Sequence, residues 1–148
     1  MTELSQVVVD QLGTGEQLVL WALRQRRAGM GATTPQLVQG FRLACGLAGV
    51  EPALASFERL FDALQCHGRC SLCPLRCAVV SDDEVTCIGL IAAAQRGLRS
   101  QQAKYAMALV GMDRAAELAS LASRLAEILT GAGHVLSPPA PTAHTTLH

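Results

Sequence analysis

Aromatic residues and excess charge are scarce in this chain of 148 residues. Phe, Trp and Tyr together make up 3% of it, and the formal net charge is zero because twelve basic residues balance twelve acidic ones. β-Strands favour aromatic and β-branched side chains, whereas the abundant Ala and Leu favour helices. A balanced charge gives no global field that would attract nucleic acid or an anionic membrane. We therefore expect an all-α protein without a nucleic-acid partner.

Long hydrophobic runs are also missing. No apolar stretch approaches the roughly 18 residues that a membrane-spanning helix needs. The first residues include Glu3 and Asp10 and lack the basic start and apolar run of a secretory signal. These features predict a cytoplasmic protein with no membrane partner. In a reducing compartment, closely spaced cysteines are better explained as metal ligands or redox groups than as disulfides.

Glycine, proline and capping residues divide the apolar pattern into about six helices. We predict them at residues 15–27, 34–45, 51–64, 82–96, 100–110 and 113–129. Ser81-Asp82-Asp83-Glu84 is the clearest helix start, because Ser-x-x-Glu is a capping box and acids favour the positive end of a helix dipole. Before the first helix, the Val7–Val9 run fits either a strand or a helical turn.

These helices predict one compact bundle over residues 1–136. Residues 137–148 are rich in Pro and Thr and have little to bury, so we expect a disordered tail there. Residues 65–81, between the third and fourth predicted helices, form a long irregular connection. A connection of that length needs a reason to be ordered.

Cysteines dominate this connection. Four of the six in the chain lie within it at the spacing Cys-x3-Cys-x2-Cys-x3-Cys, namely Cys66, Cys70, Cys73 and Cys77. On a straight helix the four would share one stripe, but the first and last would stand roughly 16 Å apart, too far for a single ion. The chain must bend if they are to meet, and Gly68 and Pro74 permit bends. We predict that these four cysteines bind a metal ion or a cluster.

Part of this spacing resembles known cluster-binding motifs. Cys66-x3-Cys70-x2-Cys73 resembles the pattern by which radical-SAM enzymes hold three irons of a four-iron cluster. Cys70-x2-Cys73-x3-Cys77, with Pro74, is similar to a fragment of bacterial ferredoxin motifs. These resemblances imply a 4Fe-4S iron-sulfur cluster. They do not imply radical-SAM activity, since the chain is too short for that family's partial barrel and lacks its alternating strands.

Zinc is the alternative metal. Only Cys70-x2-Cys73 has the spacing of a zinc knuckle. The remaining ligands would come from nearby residues, which are Cys66, Cys77, His67 and Cys87. A cluster is wider than a single ion and tolerates the short spacing better, which favours iron-sulfur over zinc. In a third interpretation no metal binds, and the thiols act as small hydrophobic groups.

The two cysteines outside the run lie on predicted helices. Cys87 falls in the first two turns of the helix that the capping box starts, where it is a candidate fifth ligand or a resolving thiol. Cys45 lies on an apolar helix face, and we interpret it as a core residue because free cysteine is commonly buried.

Signatures of catalysis and of DNA binding are weak. Arg24, Arg26 and Arg27 end the first predicted helix, and we interpret them as a solvated terminus that compensates the helix dipole, not as a phosphate site. Residues 34–64 have a helix-turn-helix order, but consecutive helices occur in any bundle. The sequence contains no recognisable Ser/His/Asp set or phosphate loop, so we assign no reaction.

The function predicted from the sequence is that of a small metal- or iron-sulfur-binding protein. Its centre would serve in sensing, electron transfer or structural support. The first alternative is a zinc-stabilised module for protein interaction or transcription regulation, with a protein partner or a second copy of this chain. The second alternative is an interaction module without metal.

Overall fold

Five α-helices make up most of the described part of the chain. This computed structural model describes residues 7–30, 32–67 and 70–139. The helices are α1 (Thr14–Ala28), α2 (Pro35–His67), α3 (Asp82–Arg96), α4 (Arg99–Val110) and α5 (Met112–Gly131). The prediction of an all-α fold is confirmed. None of the helices in these ranges is long and apolar enough to cross a membrane.

The residues that the structure describes form five helices and not the predicted six, because the second and third predicted helices join at a kink with no loop between them. Helix α2 is continuous except at Gly46, where φ is 82° and ψ is 172°. This backbone region is essentially restricted to glycine. The helix resumes directly after the kink, so Gly49 and Pro52 lie inside it. The two halves of α2 fold back on each other at this kink, since the ring centroids of Phe41 and Phe57 are 5.3 Å apart.

A short antiparallel strand pair ties the N-terminal segment to the Cys-rich connection. Strand β1 (Val7–Val8) pairs with β2 (Val79–Val80). The pairing extends through Val9, whose N–H donates to the carbonyl of Ala78 at 2.8 Å, and a single 3-10 turn then leads towards α1. The first valines thus form a strand, which the sequence had left open. This contact places the end of the connection beside α1.

The core lies where the helices meet. Helices α3, α4 and α5 pack against one another, α2 packs against α5, and α1 packs against α2 and α3. Three phenylalanines of α2 form a row in this core, with ring centroids 5.3 Å apart for Phe41 and Phe57 and 6.1 Å apart for Phe57 and Phe61. The rest is largely aliphatic, as the composition predicts. Residues 70–81, which precede α3, lie against this helical body, with Leu72 and Val80 in its core.

The segment after α5 turns back along the bundle. Leu136 is fully buried, and its N–H donates to the Gln95 side chain of α3 at 2.7 Å. The N–H of Ser137 donates to the carboxylate of Glu16 in α1. The start of the predicted tail is therefore bonded to the bundle, whereas residues 140–148 lie outside the described part of the chain.

The Gly46 kink leads to a first prediction. Gly46→Ala should lower the free energy of unfolding by about 2 kcal/mol, because a side chain is strained at this φ and ψ. Gly131→Ala is the matched control, since an added Cβ meets no atom within 4 Å at either position. At Gly131, in the last turn of α5, alanine should be neutral or stabilising by up to about 1 kcal/mol. Urea unfolding followed by circular dichroism measures both, and equal effects would contradict the assignment of strain.

Candidate functional site

A buried ion pair lies beneath residues 70–81, which we call the Cys-rich loop. The guanidinium of Arg24 in α1 donates to both carboxylate oxygens of Glu84 in α3, from Nε to Oε2 at 2.8 Å and from Nη2 to Oε1 at 2.9 Å. The side chain of Arg24 is 3% exposed and that of Glu84 is 0% exposed. The interpretation of Arg24 as part of a solvated helix end is therefore wrong.

Glu84 receives two further hydrogen bonds from the backbone. The N–H groups of Ser81 and Cys73 each donate to its carboxylate at 2.9 Å. The Ser81 hydroxyl accepts in turn from the N–H of Glu84 at 3.1 Å, so the predicted capping box is confirmed. Burial acts to raise the pKa of Glu84, but the bonds from Arg24, Ser81 and Cys73 outweigh it and the pKa is lowered. The carboxylate is therefore ionised at neutral pH and holds the loop at Cys73.

Arg24 binds the other end of the loop. It donates from Nη1 to the carbonyl of Cys77 at 2.8 Å and from Nη2 to the carbonyl of Val79 at 2.9 Å. Its neighbour Arg27 donates to the carbonyl of Leu72 at 2.5 Å. Buried backbone carbonyls need such donors where no helix or strand supplies them. Arginine side chains thus satisfy loop carbonyls that would otherwise need water.

Arg26 has a different intramolecular partner. Its Nε donates to Glu58 of α2 at 2.7 Å, and its guanidinium lies over the ring of Phe61, 4.9 Å from the centroid. All three arginines at the end of α1 are therefore bound to other parts of the protein. This arrangement does not favour the phosphate-binding alternative.

The first turn of α3 provides another anchor for the loop. The N–H of Ser71 donates to Oδ2 of Asp83 at 2.6 Å, and the Ser71 carbonyl accepts from the hydroxyl of Ser81 at 2.8 Å. Further along, the N–H of Cys77 donates to the carbonyl of Pro74 at 3.0 Å and closes a turn. The predicted bend at Pro74 is therefore confirmed, while Gly68 lies outside the described residues.

Four cysteines of the loop and α3 lie in two pairs. The Sγ atoms of Cys70 and Cys87 are 3.8 Å apart. Cys77 lies close enough to Cys73 to affect the pKa of its thiol. Cys87 is buried, and the other three are half-buried. Within the described ranges, no three Cys, His, Asp or Glu side chains form a group that could hold one ion.

Cys66 occupies a different position from the rest of the predicted ligand set. It lies in the last turn of α2, exposed to solvent, in a shallow pocket shared with Arg59, Asp62 and Glu117. The residues that link it to the loop, 68 and 69, are outside the described ranges. Its membership of a common metal site stays a prediction.

Two thiols of the pairs are less acidic than an ordinary cysteine. The hydrogen bond with Cys70, together with burial and the nearby Asp83 and Glu84, raises the pKa of Cys87 well above its usual value. Burial, followed by the charge of Glu84 and by Cys77, raises the pKa of Cys73, against the opposing effect of Arg24. Without a bound cation these two thiols are protonated at neutral pH, so each must lose its proton to bind a metal or to act as a nucleophile.

Cys45 matches its predicted role more closely. It is partly buried against the core, and burial raises the pKa of its thiol.

Sequence reasoning missed the ion pair that organises the site. Arg24 follows Leu20 by one helical turn and so continues the buried stripe of α1, which was the available signal. Glu84 was identified, but only as a capping residue. Cys87 was predicted as a further ligand or resolving thiol of the run, but its specific pairing with Cys70 was not, because that depends on the path that the loop takes over α3.

The ion pair leads to a second prediction. Glu84→Gln leaves the charge of Arg24 buried without a carboxylate and should lower the free energy of unfolding by about 3–5 kcal/mol. Glu117→Gln is the matched control, because Glu117 makes a half-exposed pair with Arg114 at 3.4 Å. There the change should stay below about 1 kcal/mol. Urea unfolding measures both variants, and equal losses would show that the buried pair has no special role.

The lowered pKa of Glu84 leads to a third prediction. The stability contributed by its ionised form is complete above the unfolded pKa of about 4.3 and is lost as the pH falls through the lower folded value. The free energy of unfolding should therefore decrease steeply below about pH 4. Arg24→Met/Glu84→Leu removes the titrating pair and should show a shallower decrease in urea unfolding at the same pH values. An equally steep decrease would assign the acid sensitivity to other carboxylates.

No protein-family model, curated protein or solved structure matches this chain. The function must therefore be inferred from the geometry of the site.

Proposed function

We propose that the Cys-rich loop binds a single zinc ion through thiolates and that the ion joins the loop to α3. The observation that supports this is the 3.8 Å separation of the Cys70 and Cys87 Sγ atoms. In a tetrahedral site with Zn–S bonds of about 2.3 Å, neighbouring sulfur atoms stand about 3.8 Å apart. This pair already has the spacing of two ligands of one ion.

Cys73 and Cys77 are the proposed third and fourth ligands. Cys70-x2-Cys73 has the spacing of a zinc knuckle, and Cys77 lies close to Cys73. The two pairs must still approach each other to complete a tetrahedron. Backbone hydrogen bonds fix Ser71, Cys73 and Cys77 to α1 and α3, so the change falls on the side chains and on the turn after Pro74.

Charge near the loop suits a site of this kind. Four thiolates around a divalent zinc leave two negative charges in excess. Arg24 lies close enough to Cys73 and Cys77 to interact with both electrostatically. Its positive charge is shared with Glu84, so it offsets this excess only in part.

The same separation favours zinc over a cluster. A 4Fe-4S cluster spreads its cysteine ligands over a wider body than a single ion does, and it would use Cys66 with Cys70, Cys73 and Cys77. Sulfur atoms 3.8 Å apart are too close to ligate separate irons of such a cluster without moving apart. The short spacing of the cysteine run argued against a single ion. When Cys87 replaces Cys66 as a ligand, this argument no longer applies. The iron-sulfur alternative is therefore kept as one of the results that the metal analysis below can give.

The proposed ion acts on a loop that is already ordered. Arg24 and Glu84 bind both ends of the loop, so zinc is not needed to fold it. We assign the ion a regulatory role, in which its binding or release changes the surface that the loop presents to a protein partner. The site contains no group arranged for catalysis on the described residues, and we propose no reaction.

Metal analysis of cysteine variants tests the proposal. Protein purified without oxygen from cells supplied with zinc and iron should contain one zinc per chain and no visible colour. Cys87→Ser should lose the zinc, whereas Cys66→Ser, the matched control, should keep it. Mass spectrometry for metals and visible absorption give the readout.

Two results would contradict the zinc proposal. Bound iron with the broad visible absorption of a cluster, lost in Cys66→Ser but kept in Cys87→Ser, would establish the iron-sulfur alternative. Metal-free protein whose stability is unchanged by replacing Cys70, Cys73, Cys77 and Cys87 with serine would exclude a metal role for the loop.

A further inference from the structure

We infer that Cys70 and Cys87 form a reversible disulfide, which makes the loop a thiol redox switch. Their Sγ atoms are 3.8 Å apart. A disulfide bond is about 2.05 Å long, so the two atoms need to approach each other by roughly 1.8 Å. Rotation of the two side chains provides movement on this scale. The consequence for zinc, described below, rests on the proposed function, but the disulfide itself does not.

The backbone around Cys70 is held where the disulfide requires it. Its neighbour Ser71 is bonded to Asp83 and to Ser81 at the start of α3. Asp83 and Cys87 are four residues apart on one face of this helix. Cys70 and Ser71 therefore lie along the same face of α3, which keeps Cys70 beside Cys87. The bond can close without displacing the loop.

The two thiols differ in access to an external oxidant. Cys87 is 2% exposed, whereas Cys70 is half-buried. A small disulfide such as oxidised glutathione therefore reaches Cys70 first. The buried Cys87 is then placed to act as the resolving thiol.

The oxidation proceeds by two exchanges. The thiolate of Cys70 attacks one sulfur of the small disulfide, which breaks its S–S bond and releases one glutathione thiol that takes up the proton lost by Cys70. The thiol of Cys87, which is protonated at rest, then loses its proton as its sulfur attacks the Sγ of Cys70, and the second glutathione is expelled and takes up that proton. The two cysteines are oxidised, and one molecule of oxidised glutathione is reduced to two thiols.

Oxidation and zinc binding exclude each other, because the same sulfur atoms serve both. Of the four proposed ligands, only Cys73 and Cys77 then remain as thiols. Zinc is therefore released. The bond also links residues 17 apart and restricts the unfolded chain. The oxidised protein should therefore melt on the order of 10 °C higher than the reduced, metal-free protein.

Peptide mapping of the full chain tests the disulfide. Reduced protein, treated with a chelator, is incubated with oxidised glutathione, alkylated and digested with trypsin. Cleavage after Arg69, Arg76 and Arg96 yields the peptides 70–76 and 77–96. A bond between Cys70 and Cys87 joins these two peptides, but so does one between Cys73 and Cys77. Fragmentation of the joined peptides in the mass spectrometer distinguishes the two bonds without any variant.

Variants provide an independent readout. Cys73→Ser/Cys77→Ser should still give the joined peptides, because Cys70 and Cys87 are then the only cysteines in them. The inference is overturned if fragmentation places the bond at Cys73 and Cys77, or if Cys70 and Cys87 are both alkylated after oxidation. It is also overturned if the joined peptides disappear from the Cys73→Ser/Cys77→Ser protein.

Zinc release is measured separately on zinc-loaded protein with a coloured chelator. Oxidised glutathione should release the ion from the wild type in step with formation of the joined peptides. Formation of the disulfide in a protein that binds no zinc would refute the proposed function and leave the redox switch intact. Bound zinc without any disulfide would refute the switch alone.

Discussion

The buried Arg24–Glu84 ion pair is the interaction on which the Cys-rich loop depends. Removing two charges from water costs several kcal/mol for each ion, and only complete hydrogen bonding offsets that cost. Glu84 accepts four bonds, two from Arg24 and two from loop and capping N–H groups. Arg24 uses its other N–H groups for the carbonyls of Cys77 and Val79. The ion pair thus supplies hydrogen bonds that a helix or strand would otherwise provide and that this irregular, partly buried segment lacks. Loss of either partner would leave backbone groups of the loop without their hydrogen-bond partner and would leave the remaining charge buried without its counter-ion.

This arrangement has a consequence for any ion that binds the loop. Small zinc domains are unfolded without metal, because the ion provides most of the energy that orders their ligands. Here the ligands belong to a segment that α1 and α3 already hold, and the five helices form their own core. Binding energy is therefore available to move the side chains and the turn after Pro74 instead of being consumed in folding the protein. A preordered thiol site of this type can gain and lose its ion within one folded state, which is what a regulatory role requires.

Local patterns in the sequence predict a large part of the fold. The capping box at Ser81, the apolar stripe of α5 and the turn at Pro74 each depend on residues within one or two helical turns, and the structure contains all three. Gly46 in the sequence also indicated a break in the helix, but the spacing of apolar residues could not show that the helix resumes directly after it. The ion pair and the Cys70–Cys87 pair were not predicted. Arg24 lies 60 residues from Glu84, and such pairings depend on how the elements pack, which no local window records.

The same long-range contacts determine which chemistry the cysteines share. Spacing groups Cys66 with Cys70, whereas the anchoring of Ser71 to Asp83 brings Cys70 to Cys87. A sulfur atom that forms a disulfide has no thiolate left to offer a metal, so one pair of atoms can support either state but not both. Because the ion pair holds the loop backbone at Cys73 and Cys77, and Asp83 holds it at Ser71, the zinc-bound and disulfide states use the same loop path. The zinc-bound and disulfide states then differ only in the side chains and the turn after Pro74, and the helical core is the same in both.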